Sequence, residues 1–227
     1  TRLYAETLRI AIPNNGYAPF IVITEPTPKG ILIDPLLKAT DTLGINVDFQ
    51  FFPEKRSRDM LDKGLVDARM ESTKWVTIPK NYYWSVPIVS LDDVLVFNKN
   101  TEFSFNNFED LIGVEIITHL GYSYPTLQSL FRRGLAIRHD RSSEKQMLAT
   151  IKRASPEHRQ VAIMNRDVAK WLIAENLQFR NEFRFSDKKV DTAPLQFQFY
   201  KSPRLDRLVK QINDELLKMG VGDLKTN

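Results

Sequence analysis

Residues 47–70 read VDFQFFPEKRSRDMLDKGLVDARM, and the fold class turns on this stretch. Residues 47–52 alternate apolar and polar side chains, the two-residue period of a strand with one covered face. Residues 54–63 have helical character and stop at Gly64, the residue type that best tolerates the left-handed turn after a helix. Residues 65–70 return to strand character. Strand, helix, strand in that order is the step that builds a mostly parallel sheet with covering helices.

Working outward, the same step recurs on both sides. Residues 8–12 read as a short buried strand followed by the turn residues Asn14, Asn15 and Gly16. A helix is expected over 31–43, with Leu32, Pro35, Leu36 and Leu43 near one face and Gly44 closing it. In the second half, 114–118 is a strand, 122–133 a helix ending at Gly134, and 136–139 a strand. Ser143 with Gln146 three residues on resembles a capping box for a helix reaching Arg153. A strand over 161–164 and a helix over 167–174 follow. The last helix is marked by Ser202 as N-cap, Pro203 in the first turn, and Leu205, Leu208, Val209, Ile212 and Leu216 on one face. Segments 93–98 and 194–200 look extended and stand where the chain would cross between halves. The expectation is an α/β chain of two lobes, each a mixed sheet flanked by helices, joined by two crossing strands. Lobe 1 is residues 1–97 with 198–227, lobe 2 is 98–197, and a ligand cleft is expected between them.

Composition narrows the function. The 227 residues are 42% hydrophobic and 26% charged, enough for a sizeable core. The formal charge of +4 comes from basic residues scattered among acids, as in Glu54-Lys55-Arg56-Ser57-Arg58-Asp59. A nucleic-acid surface calls for clustered cations and exposed aromatics, so no nucleic-acid partner is expected. No run approaches the ~20 apolar residues of a membrane-spanning helix. The lack of cysteine excludes disulfides, zinc–thiolate sites and thiol nucleophiles together. Thr1 in place of Met suggests that something was removed upstream, a secretory signal peptide being one candidate. His119, His139 and His158 show no metal-ligand spacing. No Gly-x-Ser-x-Gly, His-Glu-x-x-His or phosphate-cradling glycine loop is present. A non-enzymatic monomer without cofactor or metal is expected.

Tyr17-Ala18-Pro19-Phe20, Gly30-Ile31-Leu32-Ile33-Asp34, Leu61 through Ala68, Trp84-Ser85-Val86-Pro87 and further short motifs, in this order, resemble the extracellular solute-binding proteins of family 3, the polar-amino-acid-binding family of ABC importers. Tyr17-Ala18-Pro19-Phe20 matches its aromatic-x-Pro-Phe element, and Gly30-Ile31-Leu32-Ile33-Asp34 its helix-opening Gly-Phe-x-x-Asp. Leu61-Asp62-Lys63-Gly64-Leu65-Val66-Asp67-Ala68 resembles aLxxGxxDa, and Trp84-Ser85-Val86-Pro87 stands for Phe-Ser-x-Pro. Phe108-Glu109-Asp110-Leu111-Ile112-Gly113, Leu120-Gly121-Tyr122-Ser123 and Lys201-Ser202-Pro203-Arg204-Leu205 resemble the family's second-lobe start, its ligand loop and its returning helix. The resemblance implies the type II periplasmic-binding-protein-like fold, a periplasmic location and capture by hinge closure. The family's carboxylate-gripping Arg falls on Ile78 or Pro79, and its ammonium-pairing Asp on Asn165. A standard α-amino acid is therefore not the expected ligand; a small polar or aromatic molecule is.

The candidate ligand-binding residues are Tyr17, Phe20, Glu71, Ser72, Thr73, Lys74, Trp75, Tyr122, Ser123 and Asn165. Tyr17 and Phe20 are aromatic-wall candidates, with core packing as the alternative. Residues 71–75 follow a strand at its carboxyl end, where open α/β sheets bind ligands. Lys74 offers a point charge, Glu71 a place for a cation, and Trp75 a stacking face. Gly121, Tyr122 and Ser123 precede a helix, an arrangement that favours anions, and Ser123 and Asn165 also suit capping. Partners expected are the small molecule and either the membrane subunits of an importer or a sensor receptor. A dehydratase-like enzyme is the remaining reading, with Glu71 as its one obvious general acid.

Overall fold

The computed structural model describes residues 6–222. In chain order its elements are β1 (Glu6–Pro13), α1 (Ile33–Thr42), β2 (Ile45–Phe52), α2 (Glu54–Asp62), β3 (Ala68–Glu71), β4 (Tyr83–Trp84), β5 (Val89–Asn98), β6 (Glu115–His119), α3 (Gln128–Arg132), β7 (Ile137–Arg141), α4 (Glu144–Lys152), β8 (Gln160–Asn165), α5 (Arg166–Glu175), β9 (Phe183–Phe185), β10 (Asp191–Phe199) and α6 (Pro203–Lys218). The chain divides into two compact units, one running to Ser90 and resuming at Ala193, the other Leu91–Thr192. It passes between them within β5 and β10, a few residues before the 97/98 and 197/198 divisions read from sequence.

In the first unit the strand order is β2-β1-β3-β10-β4. β1 runs parallel to β2 and β3, and β10 antiparallel to β3 and β4. α1 carries the chain from β1 outward to β2, and α2 carries it back across β1 to β3. Leu8, Ile10 and Ile12 of β1 are fully buried. α1 covers the sheet with Ile33, Leu36 and Ala39 and packs on α6, which buries Leu205, Leu208, Val209, Ile212 and Leu216. The α6 start is as read from sequence: Ser202 Oγ accepts from Leu205 N at 3.3 Å and Pro203 opens the first turn.

The second unit repeats this plan with different residues. Its order is β7-β6-β8-β5-β9, β6 running parallel to β7 and β8, and β5 antiparallel to β8 and β9. Both faces are covered. Leu95, Phe97, Ile116 and Ile163 enter one core cluster, while their neighbours Val96, Ile117, Ala162 and Met164 enter another with α4 and α5 residues. Burial on both faces explains the near-continuous apolar runs of these strands.

Two expected elements differ. Residues 122–133 are not one helix: a 3-10 turn at Pro125–Leu127 leads into α3 at Gln128. Pro125 disfavours helical backbone at the residue before it, and Tyr124 is accordingly non-helical at φ −129°, ψ 74°. Strand character does not extend over 65–67. Gly64 turns at φ +66°, and pairing begins at Ala68.

Candidate functional site

In both units the sheet order reverses at one place. β1 connects onward to β2 on one side, while its other neighbour β3 leads away from it, so residues after β1 and β3 leave the carboxyl ends of adjacent parallel strands. β6 and β8 stand in the same relation, with β7 on the far side of β6. Such switch points are where open α/β sheets bind ligands.

At the first unit's switch point, Tyr17 through Ile21 form a tight turn: Tyr17 and Ile21 exchange backbone bonds of 2.8 and 2.9 Å. The turn is pinned to the start of α1, because Leu32 N donates to Phe20 O at 3.0 Å and Ile31 N to Pro19 O at 3.2 Å. Gly30 is obligatory here; its φ is +127°, and a Cβ would lie 2.5 Å from Phe20 O. Phe20 is buried in the core and Tyr17 nearly so, their ring centroids 5.7 Å apart.

The 71–75 loop stands on a buried ionic network. Arg69, one of the largest fully buried side chains, lies in β3. Its guanidinium donates to Glu71 Oε2 at 2.5 Å, to Gln198 Oε1 at 3.2 Å, to Ser57 Oγ at 3.3 Å and to Glu54. Glu71 Oε1 accepts from Ser72 N at 2.9 Å, so both of its oxygens are engaged within the unit. Trp75 N donates to Ser72 O, and Lys74 N to Ser72 Oγ, forming the turn. Thr73 Oγ1 donates to Gln196 Oε1, whose amide donates to Ser85 O at 2.6 Å. Ser72 is buried, Thr73 and Trp75 are half-buried and Lys74 is exposed.

At the second unit's switch point, His119 ends β6 and stacks on Tyr122 with centroids 4.0 Å apart. His119 Nδ1 lies 2.9 Å from Leu120 O, a pure acceptor, so Nδ1 carries the proton. Nε2 faces Glu144 Oε2 at 3.8 Å, and Tyr122 Oη donates to Glu144 Oε1 at 3.1 Å. Arg138 Nη2 donates to Tyr122 O at 3.1 Å. Tyr124 Oη accepts from His119 N at 2.9 Å, and burial pushes that hydroxyl's pKa far up. Across the sheet, Asn165 ends β8 and caps α5: its Oδ1 accepts from Asp167 N at 3.0 Å and Val168 N at 3.1 Å.

The ten candidates therefore gather at two places. Tyr17, Phe20 and residues 71–75 stand at the first switch point, and Tyr122, Ser123 and Asn165 at the second. Ser123 is exposed and is not a helix cap; Tyr124 precedes the 3-10 turn instead. The segment that follows is too broken to act as a helix end that attracts anions, which corrects that expectation. Residues passed over in sequence include Arg69, Gln196, Arg138, Glu144 and Arg166. Arg69 carried a signal: a charge inside the strand run Ala68-Arg69-Met70 must find partners once buried. Among the described residues no group of three or more His, Cys, Asp or Glu is placed to hold a metal ion. Nor, among the described residues, is any helix long and apolar enough to cross a membrane.

No family model and no curated protein sequence matches the chain. Solved structures do. An ancestral arginine-binding protein bound to arginine superposes with TM-score 0.76 at 19% identity, covering 94% of this chain and 92% of that one. A histidine kinase sensor domain with similarity to periplasmic binding proteins gives 0.76 at 15%, covering 94% and 90%. An ancestral amino-acid-binding protein described as a precursor of cyclohexadienyl dehydratase gives 0.71 at 20%, covering 94% and 89%. At these identities the likeness speaks for the fold alone: the chain has the mixed α/β, periplasmic-binding-protein-like fold.

Proposed function

We propose that this chain is a periplasmic solute-binding protein. It captures a small polar or aromatic molecule that is not a standard α-amino acid, and passes it unchanged to an ABC importer. The observation that carries the reading is the placement of the candidate residues at the switch points of both sheets, where strands of this arrangement present loops to ligands. A two-lobed monomer that closes by a hinge on its solute, after removal of a signal peptide, completes the proposal. Two departures argue against an α-amino acid. Ile78 and Pro79 stand where the resemblance calls for a carboxylate-binding Arg, and Asn165, uncharged, spends its carbonyl on a helix cap.

Non-enzymatic capture is favoured over dehydration because Glu71, the one general-acid candidate, has both oxygens occupied by Arg69 and Ser72 N. A sensory role is the second reading, favoured by the similarity to a kinase sensor domain; in that case closure signals to a partner protein. The test is a thermal-shift screen of amines, organic acids, sugars and aromatics, followed by native mass spectrometry. A solute at about 1,000 times its Kd adds about 4 kcal/mol of stability. A solute that raises the melting temperature and is recovered unchanged supports capture. Conversion of the solute replaces this reading with an enzyme, and no response across the screen overturns capture.

A further inference from the structure

We propose that Arg166, on the second unit, anchors a carboxylate of the captured molecule, which makes organic acids the ligand class. This rests on the binding reading above and narrows it. Among the described residues, Arg166 Nε is the buried side-chain nitrogen or oxygen left with no hydrogen-bond partner. No hydrogen bond or ion pair holds the rest of its guanidinium either, among the described residues. A buried donor without an acceptor is costly, and native proteins carry few of them. The acceptor that satisfies this one comes from outside the chain.

The position agrees. Arg166 is the first residue of α5, directly after β8, at the second unit's switch point and beside the loop that leaves β6. The helix end itself is closed by Asn165, so the side chain, and not the helix terminus, is the anchor. Asp92 feels the charge of Arg166 and is itself bonded to Lys189 Nζ and Thr192 Oγ1, both at 2.9 Å. Asp92 thus steadies Arg166 electrostatically without occupying it. Arg166 is half-buried, and among the described residues no hydrogen bond or ion pair competes with an incoming anion for its N–H groups. A planar guanidinium matches a carboxylate with two parallel, charge-assisted bonds. The adjacent exposed Asp167 disfavours a second negative charge such as a phosphate carries.

Calorimetric titration of the whole protein tests this with benzoate, 4-hydroxybenzoate and pyruvate against their neutral amides, with L-arginine and inorganic phosphate alongside. At least one acid is expected to bind, with its amide weaker by about tenfold or more. Arg166→Met and Arg166→Gln are expected to abolish that preference while melting close to the parent, since Arg166 makes no hydrogen bond or ion pair among the described residues. Arg166→Lys is expected to keep part of it as a point charge. Equal binding of acid and amide, full acid binding by Arg166→Met, a lowered melting temperature in that variant, or preference for phosphate overturns the assignment. Capture of a neutral solute or of arginine, indifferent to Arg166→Met, overturns it and leaves the binding reading standing. Silence from every probe and from the wider screen overturns both.

Discussion

Asp67 is buried between two guanidinium groups from opposite ends of the chain. Arg9 donates to it from its backbone and side chain at 2.8 Å, and Arg204 approaches at 2.6 Å. Burial pushes the Asp67 carboxyl up, but the bonds from Arg9 and Arg204 outweigh it and hold the pKa below the usual carboxylate range. A group with a lowered folded pKa stabilises in full above its unfolded value of about 4 and loses that contribution as pH falls through the folded one. Asp67→Asn is expected to cost about 2 kcal/mol at pH 7, with the gap in melting temperature narrowing progressively below about pH 4. A gap constant from pH 7 to 3 sinks the argument. Arg69 poses the converse problem, a fully buried cation shared by Glu54 and Glu71. Arg69→Met strands both carboxylates, at about 3–5 kcal/mol, and adding Glu71→Gln is expected to recover part of it in urea unfolding. Equal stability of the single and double variants refutes the network. The sequence shows Arg69 in a strand but not its partners, because Glu54 lies fifteen positions away and Gln198 much farther. Those meetings are made by the βαβ crossover and the returning strand.

Elements were legible in proportion to how locally they are determined. α6 carries its cap, its first-turn proline and its apolar stripe within one stretch, and it forms where they say. α4 likewise begins at Ser143, whose Oγ accepts from Gln146 N at 3.3 Å. The 122–133 segment misleads because its apolar spacing suggests a helix while Pro125 delays the start, a steric effect confined to one peptide link. The loop after β3 stands where the sequence puts one, while Tyr122 and Ser123 lie in a loop that reads as helix; the engagement of Glu71 and Asn165 depends on residues beyond the local stretch or on backbone geometry. Asn165 yields a clean separation of element from site. Asn165→Ala removes the α5 cap and is expected to cost about 1 kcal/mol in chemical unfolding. Asn165→Asp keeps the cap, supplies a negative charge at a helix N-terminus, and is expected to match or exceed the parent. A loss in the Asp variant as large as that in Ala disproves the capping role.

At the scale of the molecule, the two units share a plan that no sequence repeat announces: β2-β1-β3-β10-β4 and β7-β6-β8-β5-β9 are the same order with the same senses of pairing. Alternation of strands and helices predicts parallel sheets, but the reversal that places both switch points is a choice of side at each crossover, which no residue pattern records. The plan also makes the units unequal in connectivity. All five strands of the second sheet, and both of its core clusters, lie within a single continuous stretch of chain, Leu91–Thr192, apart from the first two residues of β5. The first unit is built from two stretches. Its sheet is completed by residues 196–199 of β10, and its α1 is covered by α6, both of which belong to the stretch that resumes at Ala193. A continuous segment of about 100 residues with its own core is large enough to fold alone. Residues 91–192 expressed separately are therefore expected to show a cooperative thermal transition and dispersed amide resonances. Residues 1–90 alone are expected to show neither, because β3 would present an unpaired edge and α1 an uncovered apolar face. Mixing 1–90 with 193–227 should restore order if the returning strand and helix supply the missing half. A folded 1–90, or a disordered 91–192, would show that stability is shared between the units and not held by each in its own core.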